Sequence, residues 1–207
     1  MKIKFLLIVF LFSMISYVFS QEHWNIETHT YINIKDNLQW ILPNEYGEWY
    51  IVEDYRRPKY MLFAASQRDV GVAVTLIKDT IPLKANDNDP WKHGNEFLKE
   101  ILKSRIERDK VFPGNTVEKP IVENCYFLNK KALKFSLSFS TVDDRYGNEP
   151  IDFYCTGYCF AKNGFTYVAY AMVLSEVQEI IQKEYGLDFC KSIFSGFTYV
   201  NATLEKE

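Results

Sequence analysis

Four cysteines (Cys125, Cys155, Cys159, Cys190) and three histidines (His23, His29, His93) are the residues best able to do chemistry here. A nucleophilic Ser or Cys needs a base within hydrogen-bond reach. His23 and His29 fall in a polar, frayed start, and His93 falls in the first turn of an exposed helix. No Gly-X-Ser-X-Gly elbow occurs. No Cys-X-X-Cys occurs, and no histidine follows residue 93, so a zinc ligand set is lacking. Carboxylates gather at Asp87 and Asp89 and again at Asp143, Asp144 and Glu149. Calcium takes about six or more oxygen ligands, and Arg145 interrupts the second group at a spacing that matches no calcium loop. That group reads as a solvated hairpin tip and Asp89 as a helix cap. Thus no catalytic residue, no metal and no cofactor is predicted.

An even number of cysteines permits two disulfides in three pairings. Cys155 and Cys159 lie four apart on one predicted strand, roughly 13 Å at about 3.3 Å per residue. A disulfide needs Cα atoms within about 7 Å, so these two do not pair. Cys190 lies on a helix that covers the sheet and is placed to meet Cys155 or Cys159. Whether any disulfide forms is left open by the spacing.

The aromatic residues are the other candidates. Trp49, Tyr50 and Tyr55 cluster with Tyr46 and Tyr60, and Arg56 and Arg57 stand among them. Tyr and Arg are enriched where proteins bind one another, and the same rings stack on a sugar or a peptide. The plainer reading is that alternate rings fill the core while the rest lie on the wet faces of strands. Tyr154, Tyr158 and Tyr170 are expected on a less covered sheet face, the second candidate groove. An enzyme there would use Asp152 or Asp143 as its acting carboxylate.

These residues must be positioned by an α+β chain. Ile151–Ala161 and Phe165–Val173 are apolar runs joined through Lys162-Asn163-Gly164, and Asn-Gly favours the positive φ angles of a tight hairpin. Tyr31–Ile34 and Asn37–Pro43 read as short extended pieces, and Glu48–Glu53 as another. Tyr60–Ala65 and Val70–Lys78 read as a hairpin joined by Ser66-Gln67-Arg68-Asp69, with two apolar faces that suit a covered central strand. Asp89 and Pro90 open an amphipathic helix to Arg108, with Phe97, Leu98, Ile101, Leu102 and Ile106 at helical spacing. Ile121–Leu128 and Ala132–Thr141 form the next pair. In the second run Leu133, Phe135, Leu137 and Phe139 alternate with Lys134, Ser136, Ser138 and Ser140, so one face is buried and the other wet or lightly covered. A closing helix runs from Ser175 to about Ser195, with Ser175 as N-cap and Gln178 completing a capping box. Gly186 is its weak point. A short strand over Thr198–Asn201 ends the order.

Residues 1–20 read as a secretory signal peptide: Lys2 and Lys4, an apolar run from Phe5 to Ile15, and a small residue, Ser20, before the cut. Residues 21–207 then form a single domain, secreted or periplasmic. Loss of the two lysines takes the formal charge from −3 to −5. Mildly acidic, mixed charge gives no footprint for nucleic acid or anionic membrane. No second apolar stretch is long enough to span a bilayer.

The order of elements, with Trp40-Ile41-Leu42-Pro43 near the start and Ile193-Phe194-Ser195-Gly196-Phe197 at the end, resembles the PsbP-like fold over most of the mature chain. That group includes an extrinsic photosystem II subunit, a Ran-binding import regulator and many small exported bacterial proteins. The resemblance implies an antiparallel sheet of about six or more strands flanked by two main helices, an α/β/α sandwich. It also implies no catalysis, since known members act by binding proteins. No functional residue of those members maps onto this chain. The expectation is a non-catalytic exported binding or accessory protein that recognises a protein partner in the cell envelope or a small ligand. The alternative is a small periplasmic hydrolase with its site on the open sheet face.

Overall fold

The computed structural model describes residues 22–52, 60–67, 71–81, 94–100, 103, 116–142, 149–186 and 188–200. The signal-peptide reading over residues 1–20, the Asp89-Pro90 helix start, His93, the Asp143–Asn148 tip, and Tyr55, Arg56 and Arg57 lie outside the described residues.

Twelve strands are described: β1 (Glu22–Asn25), β2 (Thr30–Asn33), β3 (Leu38–Ile41), β4 (Trp49–Ile51), β5 (Met61–Gln67), β6 (Ala73–Lys78), β7 (Thr116–Val117), β8 (Ile121–Phe127), β9 (Lys130–Val142), β10 (Pro150–Lys162), β11 (Phe165–Leu174) and β12 (Phe197–Thr198). A helical piece over residues 94–100 is α1. Helices α2 (Ser175–Tyr185) and α3 (Phe189–Phe194) follow β11. The larger sheet has eight strands in the order β4-β5-β6-β11-β10-β9-β7, with β8 also on β9. Every described pairing is antiparallel. The fold is therefore α+β around a large antiparallel sheet.

The β10–β11 hairpin is the spine. Asn163 and Gly164 take φ of 50° and 76°, so the two-residue turn has the hand that strand twist requires. Ten residue pairs then follow in register from Lys162↔Phe165 to Phe153↔Leu174. At its middle, Gly157 permits a close approach: a Cβ there would lie 2.3 Å from the Ala169 carbonyl oxygen.

Strand alternation sorts two cores to the two faces of this sheet. On one face, Leu133, Phe135, Leu137 and Phe139 of β9 and Cys155 and Cys159 of β10 pack with Leu98 of α1. The Cys159 thiol donates to the Gly94 carbonyl at 3.3 Å, and burial pushes its pKa up to about 12. On the other face, Phe160, Tyr167, Ala169, Ala171 and Val173 pack with Phe189, Cys190, Ile193 and Phe194 of α3. The closing helical segment thus roofs the sheet, as its apolar stripe predicts.

Several local expectations change. The segment expected to be frayed is not: β1 pairs with β2 in full register, and the Trp24 ring packs 5.4 Å from Phe63. Strands β1, β2, β3 and β12 form a separate four-stranded sheet. It joins the core through Trp40, whose indole N–H donates to the Ile193 carbonyl at 3.0 Å. The closing helix is two helices. Gly186 takes φ 62° and ends α2, and Asp188 caps α3 by accepting the Lys191 amide at 3.0 Å. Ser175 is the first helical residue rather than the cap, and Gln178 reaches Gln182 at 3.2 Å instead of closing a capping box.

Candidate functional site

The alternation in β9 leaves a polar row on the face that carries the closing helices. Lys134, Ser136 and Ser138 stand opposite Tyr158, Thr156 and Tyr154 of β10. Helices α2 and α3 pack over this face through Val177, Phe189, Cys190, Ile193 and Phe194. Between them and the sheet lies a cleft of about 350 Å³ lined by Lys134, Tyr154, Gln178, Gln182, Gly186, Asp188, Phe189 and Cys190. Gly186, where α2 ends in the left-handed conformation, is part of the cleft lining.

The lining is mixed by design of the elements beneath it. Tyr154 meets Phe189 edge-on, with ring centroids 6.4 Å apart, which leaves an aromatic wall. Lys134 supplies a cation, and Gln178 and Gln182 supply amides. The Asp188 carboxylate is engaged in capping α3. Behind the cleft, Tyr158 stacks on Phe127 at 4.1 Å and meets Phe194 edge-on at 5.1 Å. The Cys190 thiol donates to its hydroxyl at 3.7 Å. Burial first, then the neighbouring Cys190, push the Tyr158 phenol well above its ordinary range. Burial likewise raises the Cys125 thiol. The Tyr158 phenol thus stands behind the cleft as a neutral hydrogen-bonding group.

The residues singled out by sequence do not form one site. Trp49 has 0% exposure and its indole N–H donates to the Pro43 carbonyl at 3.0 Å, so it is core and unreachable by a ligand. Tyr46 is also buried and bonds Ser192 at 3.2 Å. Tyr50 is on the surface and donates to Glu48 at 2.7 Å. Tyr154 and Tyr158 share the cleft face, with Tyr154 at the opening and Tyr158 half-buried behind it. Tyr170 belongs to the opposite face, packed with the core under α1. The two faces of a strand alternate, and Tyr170 is out of phase with its expected companions.

Asp152 is exposed, accepts from Ser140, and borders a second hollow of about 520 Å³ with Leu174, Glu176 and Lys183. Among the described residues, no group of three or more His, Cys, Asp or Glu side chains could hold a metal ion.

Two arrangements escape the sequence. One is Lys134, whose signal was its place as the cation in the alternating row of β9. The other is a buried polar knot between the sheets. The Asp36 carboxylate accepts from Lys78 at 2.6 Å, Tyr167 at 2.8 Å and Asn33 at 3.3 Å. Lys162 donates to the carbonyls of Asp36 and Asn37. This knot lashes the β2–β3 turn to the β10–β11 hairpin.

No family model and no curated protein matches the sequence. Among solved structures the chain is similar to the cyanobacterial PsbP of Synechocystis sp. PCC 6803, at 12% identity and a TM-score of 0.47, over 86% of this chain and 91% of that one. It is also similar to LpqN of Mycobacterium tuberculosis, involved in cell envelope biogenesis, at 12% identity and a TM-score of 0.40, over 78% of this chain and 82% of that one. No helix among the described residues is long and apolar enough to cross a membrane.

Proposed function

We propose that this protein is a non-catalytic, exported binding or accessory protein that holds a small polar ligand, or a polar segment of a partner, in the cleft between α2, α3 and the β9–β10 face. The observation that carries this is the polar row of β9 on the face where a cleft opens beside the helix pair that parts at Gly186. A sheet face meant only for packing would be apolar there, as it is on the same strand's other side. Lys134 and the two glutamine amides favour an occupant with carboxylate or carbonyl oxygens, and the Tyr154–Phe189 wall favours one with a flat or apolar part. Export rests on the signal-peptide pattern of residues 1–20.

The test is native mass spectrometry of the mature protein purified with whatever it carries, beside Lys134→Ala and Tyr154→Ala. The expected result is one dominant bound species, with affinity for it down roughly ten- to a hundredfold in Lys134→Ala, the loss of a charge-assisted hydrogen bond. Retention of the same species at undiminished affinity in both variants would place binding elsewhere. Turnover of a generic ester, peptide or glycoside that disappears in Asp152→Asn would replace this reading with the hydrolase.

A further inference from the structure

We propose that Cys125 and Cys190 form a disulfide that ties α3 to strand β8, behind the cleft. The sequence points Cys190 toward Cys155 or Cys159, but strand alternation puts those two on the opposite face of the sheet, in the core under α1. Cys125 instead shares the face and the core of Cys190.

Two rows of side chains on that face bring the pair to one end of a shared ring cluster. The rings of Phe127 on β8 and Phe194 on α3 stand 6.1 Å apart. Cys125 is two residues back from Phe127 on the same side of the strand, about 7 Å along. Cys190 is one turn back from Phe194 on the same side of the helix, about 6 Å along. Tyr158 shows that both rows step in one direction. Its ring lies against Phe127 and Phe194, and its hydroxyl lies 3.7 Å from the Cys190 sulfur. Cys125 is within electrostatic reach of the same hydroxyl and of Cys190 itself. Both sulfurs stand as thiols in this structure.

Cys125 is half-buried and Cys190 almost fully buried, which orders the chemistry. With a small disulfide oxidant of the glutathione class, the Cys125 thiolate attacks one oxidant sulfur and expels a glutathione thiolate. The Cys190 thiolate then attacks the Cys125 sulfur and expels the second. The protein loses two protons and two electrons, and the oxidant gains the electrons as two thiols. This pairing goes beyond the binding reading and does not depend on it, because connectivity is read with the cleft empty or filled.

The test is peptide mapping of the reduced, folded mature protein after incubation with oxidised glutathione, digested without reductant. The expected product is a single crosslink between the peptides of Cys125 and Cys190, with intact mass lower by two hydrogens. Cys155 and Cys159 should be alkylated only after unfolding. Cys190→Ser should instead trap one glutathione on Cys125, a result that needs no second variant if the wild-type map is clear. A crosslink from Cys190 to Cys155 or Cys159, or a Cys125–glutathione adduct that persists in the wild type with Cys190 still a thiol, would overturn the pairing.

Discussion

Lys162 carries its amine into a place only 6% exposed, where two backbone carbonyls accept from it and the Tyr199 ring lies 4.6 Å away. Burial, the dominant cause, lowers its pKa from 10.5 to about 8, and the Asp36 charge offsets part of that. Between those values the unfolded chain binds a proton that the folded chain does not, so this group makes stability rise with pH from about 8 to 10.5. Cys159 acts oppositely from about pH 9, since burial holds its thiol protonated up to about 12. The clean window is therefore pH 8 to 9. Urea unfolding should show the wild type gaining stability on Lys162→Met as pH rises through it, and parallel pH profiles would remove the assignment. Nothing in the sequence announced this lysine. Its partners Asp36 and Asn37 are more than a hundred residues away, and only the pairing of two turns brings them together.

At the scale of elements, what was legible follows from periodicity. Leu133 to Phe139 alternates so regularly that the buried face of β9 was readable without coordinates, and Asn163-Gly164 announced its hairpin by the positive φ angles that such a pair adopts cheaply. Helix ends were less legible. A Ser three residues before a Gln marks a capping box only if the chain enters the helix at that Ser, and here β11 runs through Leu174 and leaves no room for it. Gly157 shows the same limit in a strand: its type marks a close approach, but only the β10–β11 register says what approaches. Gly157→Ala would push a methyl into the Ala169 carbonyl and the Tyr170 backbone. It should cost about 1–3 kcal/mol, as overpacking does. A chemical-denaturation midpoint unchanged from wild type would mean that the two strands can part there without loss.

Over the whole molecule, the division into two sheets was the least legible feature, because short strands carry no mark of the sheet they join. Strands β2 and β3 stand at one end of the chain and β12 at the other, and the small sheet closes only when Phe197 and Thr198 pair with Trp40 and Gln39. Phe197 carries that closure into the larger sheet alongside Trp40, whose ring also meets Phe63 of β5. Its ring lies 5.1 Å from Trp40, 5.4 Å from Phe127 and 5.9 Å from Phe160, so one residue touches β3, β8 and β10. Gly196 allows the approach, since a Cβ there would sit 2.2 Å from the Ile41 carbonyl oxygen. If both sheets share one core in this way, Phe197→Ala should lower global stability by about 3–5 kcal/mol, the usual cost of emptying a buried aromatic site. Amide exchange should then quicken in β3 and in the β10–β11 spine to the same extent, as for a single cooperative unit. Faster exchange confined to β1, β2, β3 and β12, with the spine unchanged, would mean that the small sheet opens on its own and that the cleft beside α3 does not depend on it.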